Sequence, residues 1–357
     1  MTKPIIFDVL IVYTESLASS ASDSLNATPF PVGSRSESYN IVYGYFLKIC
    51  QKSNLKAAFT TSKDIIGPGT CRSFWIFKNK KWSRVNSPCF SKLIFDKFSP
   101  TKDKIKSRRQ ILFSSSEIKP FNDPDLFDLF FDKQKTYEKL SGHAIPTLSL
   151  TDKTLPGVKG TCQLLAELLN KHPDSKDFSQ DIIMKDRFGA GGRHVYKFKL
   201  GQSKHMLAIL RKNTKISFIL QPFTKFDQGF NYQNCLRSAD IRLIYLRNKI
   251  IQSYIRIAPT NDFRCNEHQG GSLSYLSLKK LPLSLIEKSN SIAESLGKKG
   301  SFFALDFIIS NNGNPYLLEG NTGPGLDWNM SIKKNEIESK KLIRLVVQDL
   351  YATINWV

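Results

Sequence analysis

The sequence predicts an α+β protein of mixed α/β type, divided into more than one domain. Apolar runs of strand character alternate with amphipathic helical runs along the chain. Several strands come in long antiparallel pairs joined by short polar turns. The 357 residues are 41% hydrophobic and 23% charged, a globular composition with room for two or three domains.

Residues 5–13 (IIFDVLIVY) read as a buried first strand. Lys3 before this run and SLASSAS after it resemble a signal peptide faintly, but Asp8 interrupts the apolar stretch. From Ser16 to Ser38 the chain is Ser-rich and holds Pro29, Pro31 and Gly33, so a long loop is expected. Residues 55–61 and 91–98 read as strands, and 72–86 as a hairpin turning at Asn79. These elements define an N-terminal α/β domain over 1–120. Residues 99–119 carry Lys102, Lys104, Lys106, Arg108, Arg109 and Lys119 with little apolar periodicity, and read as an exposed linker. A helix then opens, with Asp123 as N-cap, Pro124 as first helical residue and Gly142 as stop. A second helix over 161–172, a strand over 181–186, a Gly-rich turn and the strand RHVYKFKL follow. They form a central lobe over 121–220. The strand at 217–223 leads into a C-terminal lobe over 221–357. That lobe comprises a strand pair at 239–258 turning near Arg247 and Asn248, a helix at 281–297, a hairpin, and a last helix at 332–354.

Charge and cysteine content narrow the function. The 52 basic and 31 acidic residues leave a net charge of +21, which concentrates anions near the protein. No apolar run reaches the roughly 18 residues of a membrane span. No zinc-finger, helix-turn-helix or RNA-binding signature is present, which argues against nucleic acid as the main partner. The six cysteines at 50, 71, 89, 162, 235 and 265 form no CxxC and no zinc spacing. Reduced thiols in a cytoplasmic protein are expected.

Three segments carry chemistry. In ALDFIISNNGNPYLLEGN, Asn312-Gly313 between alternating apolar residues is a strong hairpin cue. A two-residue turn there places Asp306 opposite Glu319, with Asn321 two residues on along the same face. Facing carboxylates repel unless a cation lies between them. These hard oxygen donors in apolar flanks suit Mg²⁺. In MKDRFGAGGRHVY, Gly189, Gly191 and Gly192 follow Lys185, and such a turn closes backbone N–H groups around phosphate. It is neither a P-loop nor a dinucleotide fingerprint. Third, Asp240, Arg242, Arg256, Arg264 and Asn266 precede Gly270-Gly271, and fixed guanidinium groups bind carboxylates or phosphoryl groups.

The order of these blocks resembles the ATP-grasp superfamily, most closely its RimK-type carboxylate–amine ligases. The resemblance runs from Asp132 to Asp327 through IIMKDRFGAGG, ILQPF, DIRLIYLRNKIIQSYIRIA, FRCNEHQGG and LDF…LLEGNTGPGL. It implies two α+β lobes clamping ATP behind an N-terminal α/β domain. Lys185, with Lys133, would bind ATP phosphate. Phe188, Gly189, Gly191 and Gly192 would lie in the mobile loop over the triphosphate. Gln221, Pro222 and Phe223 would form the hinge around adenine, and Asp240 would contact nucleotide. Arg256, Arg264 and Asn266 would serve the γ-phosphate and acyl-phosphate. Asp306, Glu319 and Asn321 would hold Mg²⁺, with Mn²⁺ as a substitute.

The implied reaction joins a carboxylate to an amine through an acyl-phosphate, on an amino acid, a peptide or a protein tail. The positive charge favours an acidic substrate. A homo-oligomer is compatible with the sequence, and the alternative is an inactive ATP-binding scaffold on the same fold. Pro222 departs from the family, whose hinges often carry Glu there, and it removes a backbone donor. The ribose-binding acid is not identified; Asp227 is the nearest candidate.

Overall fold

The computed structural model describes residues 3–23, 25–98, 103–233, 236–298 and 300–355. Cys235 and residues 99–102, including Lys102, lie outside the described residues. The chain forms two compact units, one of residues 1–123 with 325–357, the other of 124–324. The last helix, Lys333–Asn355, therefore clusters with the first unit, whereas the sequence reading assigns it to the C-terminal lobe. It packs on the helix Tyr39–Lys52, with Arg344 donating to the Tyr45 hydroxyl at 3.3 Å. Among the described residues no helix is long and apolar enough to cross a membrane.

The first unit is built on a six-stranded sheet. Val9–Tyr13 is wholly buried at its centre, parallel to Ala57–Thr61 on one side and Leu93–Lys97 on the other. The expected first strand is in fact two, Ile5–Ile6 and Val9–Tyr13, divided around Asp8. The hairpin Phe74–Lys78 and Lys81–Val85 turns at Asn79 and Lys80, both with positive φ. Two helices escape the sequence reading. Tyr39–Lys52 buries Val42, Phe46, Leu47 and Cys50. Asp103–Leu112 replaces the expected linker, and its buried Ile105 and Leu112 belong to the core beneath the sheet. Half of its ten residues are charged, so two buried apolar anchors hold it where no periodicity is visible.

The second unit holds two antiparallel sheets. In the first, strands run in the order Leu148–Leu150, Phe218–Thr224, Phe178–Asp186, Val195–Phe198. Ile182, Met184, Leu220 and Phe198 point into a core closed by helices Leu155–Asn170 and Ser203–Lys212. The helix expected over 161–172 thus starts earlier, at a Thr154 cap followed by Pro156. The helix expected after Pro124 breaks into Pro124–Phe131 and Lys133–Lys139, because Asp132 caps the second piece by accepting from the amides of Gln134 and Lys135.

The second sheet orders Ser272–Tyr275, Lys249–Ile257, Ala239–Leu246, Phe302–Ile309 and Pro315–Asn321. One face, with Ile241, Leu243, Tyr245, Ile255, Leu305 and Phe307, packs on the helix Leu283–Leu296. The other face carries Asp240, Arg242, Arg256 and Asp306. The connector after Phe218–Thr224 is fastened to the end of Phe302–Ile309: Asn311 donates its amide to Lys225 O at 2.8 Å. A Cβ on Gly229 would meet Ile309 O at 1.9 Å, a clash with backbone that no side-chain rotation relieves. Gly229→Ala is therefore expected to lower stability by about 1–3 kcal/mol. Urea unfolding of both proteins tests this, and an unchanged midpoint would contradict it.

Candidate active site

Strand alternation sets the first wall of the site. Ile182 and Met184 face the core, so Ile183 and Lys185 face the other way, onto a cleft. Lys185 is 6% exposed. Burial, and secondarily the like charge of Lys133, pushes its ammonium down to about 7, with Glu319 acting in the opposite sense. After Asp186 the chain turns through the glycines, and Asp186 N–H recloses on His194 O at 3.1 Å. Arg187 anchors the turn from outside with two 2.6 Å bonds to the buried Asp132. Asp132 thereby caps a helix and ties down the loop together. Lys133 Nζ donates to Gly189 O. Gly192 has φ +70, and a Cβ there would lie 2.7 Å from Asn266 Oδ1, so loop and facing segment meet only because the side chain is missing. Gln269 Nε2 adds a 3.3 Å bond to Gly191 O.

The second wall is the polar face of the five-stranded sheet. Register places Asp240 opposite Arg256, Arg242 opposite Asp306, and Asp306 opposite Glu319. Arg256 grips Asp240 at 2.7 and 2.9 Å and reaches Asp306 Oδ2 at 2.8 Å. Arg242 forks onto Asp306 through Nε at 2.6 Å and Nη2 at 2.5 Å. Two arginines and two aspartates thus cancel in charge at the cleft floor. Burial alone would raise the Asp306 carboxyl, but Arg242 and Arg256 outweigh it and hold it near 2.

The Asp306–Glu319 pairing is the expected one, reached by a different route. Ile309 pairs with Pro315, so residues 310–314 form a five-residue loop rather than a two-residue Asn-Gly turn. A bulge at Leu318 then shifts the register by one, so that Glu319 faces Asp306 and Asn321 faces Ala304. Asp177 pins the loop, accepting from Asn312, Asn314 and the Tyr316 hydroxyl at 2.6–2.8 Å.

Most of the residues singled out from sequence meet at one cleft. Lys133, Lys185, Gly189, Gly191, Gly192, Gln221, Pro222, Phe223, Asp240, Arg256, Arg264, Asn266 and Glu319 all line it. Three do not. Phe188 turns outward and stacks on Phe131, centroids 5.2 Å apart. Asp306 is 0% exposed beneath the arginines, and Asn321 lies beyond the lining. Arg264 is paired with Asp262 at 2.7 Å, and the Gln221 side chain with Thr147 at 2.7 Å. Asp227 is exposed, outside the lining, and bonded to Asn311 at 2.9 Å.

Sequence reasoning missed the apolar part of the lining. Ile183 and Val195 from the first sheet, Ile308 and Leu318 from the second, and Ile145 and Phe263 from segments outside both enclose a slot suited to a flat ring. Ile183 and Ile308 were recoverable in principle. Each sits two residues from a polar site residue on its own strand, and so shares its face.

The donors suit a divalent cation. Glu319 opens onto the cleft, Asp306 opposite it is gripped by Arg242 and Arg256, and the Asn321 Nδ2 atom is buried with no hydrogen-bond partner. Two carboxylates and an amide offer the hard oxygens that Mg²⁺ takes alongside water and phosphate. No group of three or more His, Cys, Asp or Glu is assembled for a metal among the described residues.

Comparison with known proteins bears on the family and the fold. Residues 161–346, slightly over half of the chain, match the RimK-like ATP-grasp domain. A probable alpha-L-glutamate ligase of Shewanella halifaxensis is 29% identical over 163 residues, 44% of this chain and 32% of the relative. The chain thus spans about a third of the length of the first curated relatives it matches. D-alanyl-alanine synthetase A from Vibrio cholerae superposes with a TM-score of 0.60 at 14% identity, covering 98% of this chain and 99% of that one. The ATP-grasp ligase PsnB, complexed with minimal precursor, Mg and ADP, gives 0.55 at 9% identity, covering 98% and 99%. At such identities the likeness shows the fold.

Proposed function

The chain belongs to the RimK-like ATP-grasp family, and we propose that it is an ATP-dependent carboxylate–amine ligase. The observation that carries the proposal is the single cleft where a buried lysine, a Gly-rich turn, an apolar slot, two arginines and Glu319 meet. The slot between Ile183, Phe263, Ile308 and Leu318 takes the adenine ring. Lys185 and Lys133 take the phosphates, with backbone N–H groups of the 189–192 turn closing over them. Glu319, with Asp306 and Asn321 on the same strand pair, would hold Mg²⁺, which when bound would neutralise phosphate charge. A substrate carboxylate oxygen attacks the γ-phosphorus, the bond to the ADP oxygen breaks, and an acyl-phosphate forms. An amine then attacks the acyl carbon, loses a proton, and expels phosphate.

The chain's own part is positioning and charge. Arg264 lines the cleft with Asn266, where it would meet the transferred group on leaving Asp262. Arg256 spends Nε and Nη2 on the two aspartates, so its Nη1 is the atom for an acyl-phosphate oxygen. The net charge of +21 supports an acidic substrate, and relatives named glutamate ligases support glutamate as the first amine to try. The PsnB complex with a precursor supports peptides as a second class.

The test is Mg²⁺-dependent ADP release with glutamate, pooled amino acids and acidic peptides, with mass spectrometry of the products. Stimulated release, a product at the sum of two substrates less water, and loss of both in Glu319→Ala are expected. ATP binding with no stimulated release from any pool would instead indicate the scaffold alternative.

A pH effect follows from Lys185. With its free pKa near 7, it is mostly neutral at pH 8, and phosphate draws it back to the charged form. Binding ATP at pH 8 should therefore take up about 0.9 proton at this site, and at pH 6 about 0.1. Affinity should fall by up to about tenfold per pH unit above 7. Calorimetry in buffers of different ionisation enthalpy, referenced to Lys185→Met, measures this. Equal uptake at both pH values would refute it.

A further inference from the structure

Two cysteines of the first unit have no part in the chemistry above. Cys71 lies on Thr70–Cys71 and Cys89 on Cys89–Phe90, antiparallel strands that pair these two residues directly opposite one another. Opposite residues point to one face with Cβ atoms about 4.5–5.5 Å apart. The neighbouring bond, Ser91 N–H to Gly69 O at 3.1 Å, marks the hydrogen-bonded kind of pair, whose Cα atoms lie about 5.5 Å apart. A disulfide spans Cα separations of about 4.4–6.8 Å and Cβ separations of about 3.5–4.5 Å, so the two Cβ atoms must draw together by about 1 Å as the bond closes. Both residues are 0% exposed and both are thiols. The Cys71 thiol is raised first by its hydrogen bond with Cys89 and then by burial, so it stays protonated and unreactive while the strands are closed. Among the described cysteines no other two face each other across strands.

We propose that Cys71 and Cys89 form a redox dithiol that closes to an intramolecular disulfide when the protein meets an oxidising small disulfide. Each strand is only two residues long, so few backbone bonds must break for a thiol to emerge. One cysteine thiolate attacks a sulfur of glutathione disulfide. The oxidant's S–S bond breaks, a mixed disulfide forms, and one glutathione leaves as thiolate, taking up a proton. The second cysteine thiolate attacks the protein sulfur of that mixed disulfide and expels the second glutathione. The protein gives up two protons and two electrons, and one glutathione disulfide becomes two glutathiones. In a reducing compartment the pair rests as thiols, the form in the structure. The rival reading, two small hydrophobes filling a core, predicts no such bond.

The test uses the full chain. After incubation with glutathione disulfide, the protein is denatured, alkylated with iodoacetamide and digested with trypsin. A linked product joining peptide 64–72 to peptide 85–92 is expected, absent after dithiothreitol. Cys71→Ala and Cys89→Ala should each eliminate it. The partly exposed Cys162 serves as an internal clock. If Cys71 and Cys89 are both still alkylated once Cys162 has fully reacted, or end as two separate glutathione adducts, the proposal is overturned.

Discussion

Replacing Lys185 with methionine is expected to lower ATP turnover by about 100- to 1,000-fold without lowering stability. A preorganised charge in a low-dielectric site, aimed at charge that moves during reaction, is worth roughly 2.7–4 kcal/mol. Lys185 meets that description: buried, on a rigid strand, and beside the Gly-rich turn. Its stability effect runs the other way. An ammonium held near 7 in the folded state, against an ordinary value of 10.5, makes charging costly to the fold at neutral pH. Methionine keeps the length and drops the charge, so the unfolding midpoint should hold or rise. A merely structural lysine would show the reverse, lost stability with turnover within about tenfold. Single-turnover ADP formation and urea unfolding on the same preparations separate the two.

The polar half of the site was legible in the sequence because its residues are unusual where they stand. A lysine ending an apolar strand, three glycines in four positions, and carboxylates inside FFALDF and PYLLEG all contradict the local pattern. The apolar half was not legible, because Ile183, Ile308 and Leu318 look like any core residue until the two sheets face each other. Leu318 reaches the cleft through a bulge, and no spacing rule announces a bulge. The hairpin shows how a correct pairing can rest on a wrong turn: a longer loop and a bulge offset one another by one residue. The helix Asp103–Leu112 was hidden by charge, since DKIKSRRQIL carries only two buried apolar residues. The Cys71–Cys89 pair was hidden by topology. Seventeen residues, most of them in a hairpin, separate two strands too short to read as strands.

Replacing Arg256 with methionine should cost the fold about 3–5 kcal/mol, the range for removing one partner of a buried ion pair. Arg256 makes three bonds to two carboxylates that are 3% and 0% exposed, and methionine makes none. Arg242 still covers Asp306, so the damage concentrates on Asp240. The pH dependence identifies that residue. Asp240 is already raised to about 6, because burial exceeds what Arg256 returns. Without Arg256 its folded-state value rises further, above an unfolded value near 3.9. A carboxyl raised in this way is bound to a proton by folding, so stability returns as pH falls through the folded value. The cost of Arg256→Met should therefore be largest at pH 8 and shrink at pH 5. Adding Asp240→Asn should recover part of it at pH 8 and almost none at pH 5. A small loss independent of pH would mean that water reaches Asp240, and that the four charges form a solvated cluster instead of the buried floor of the cleft.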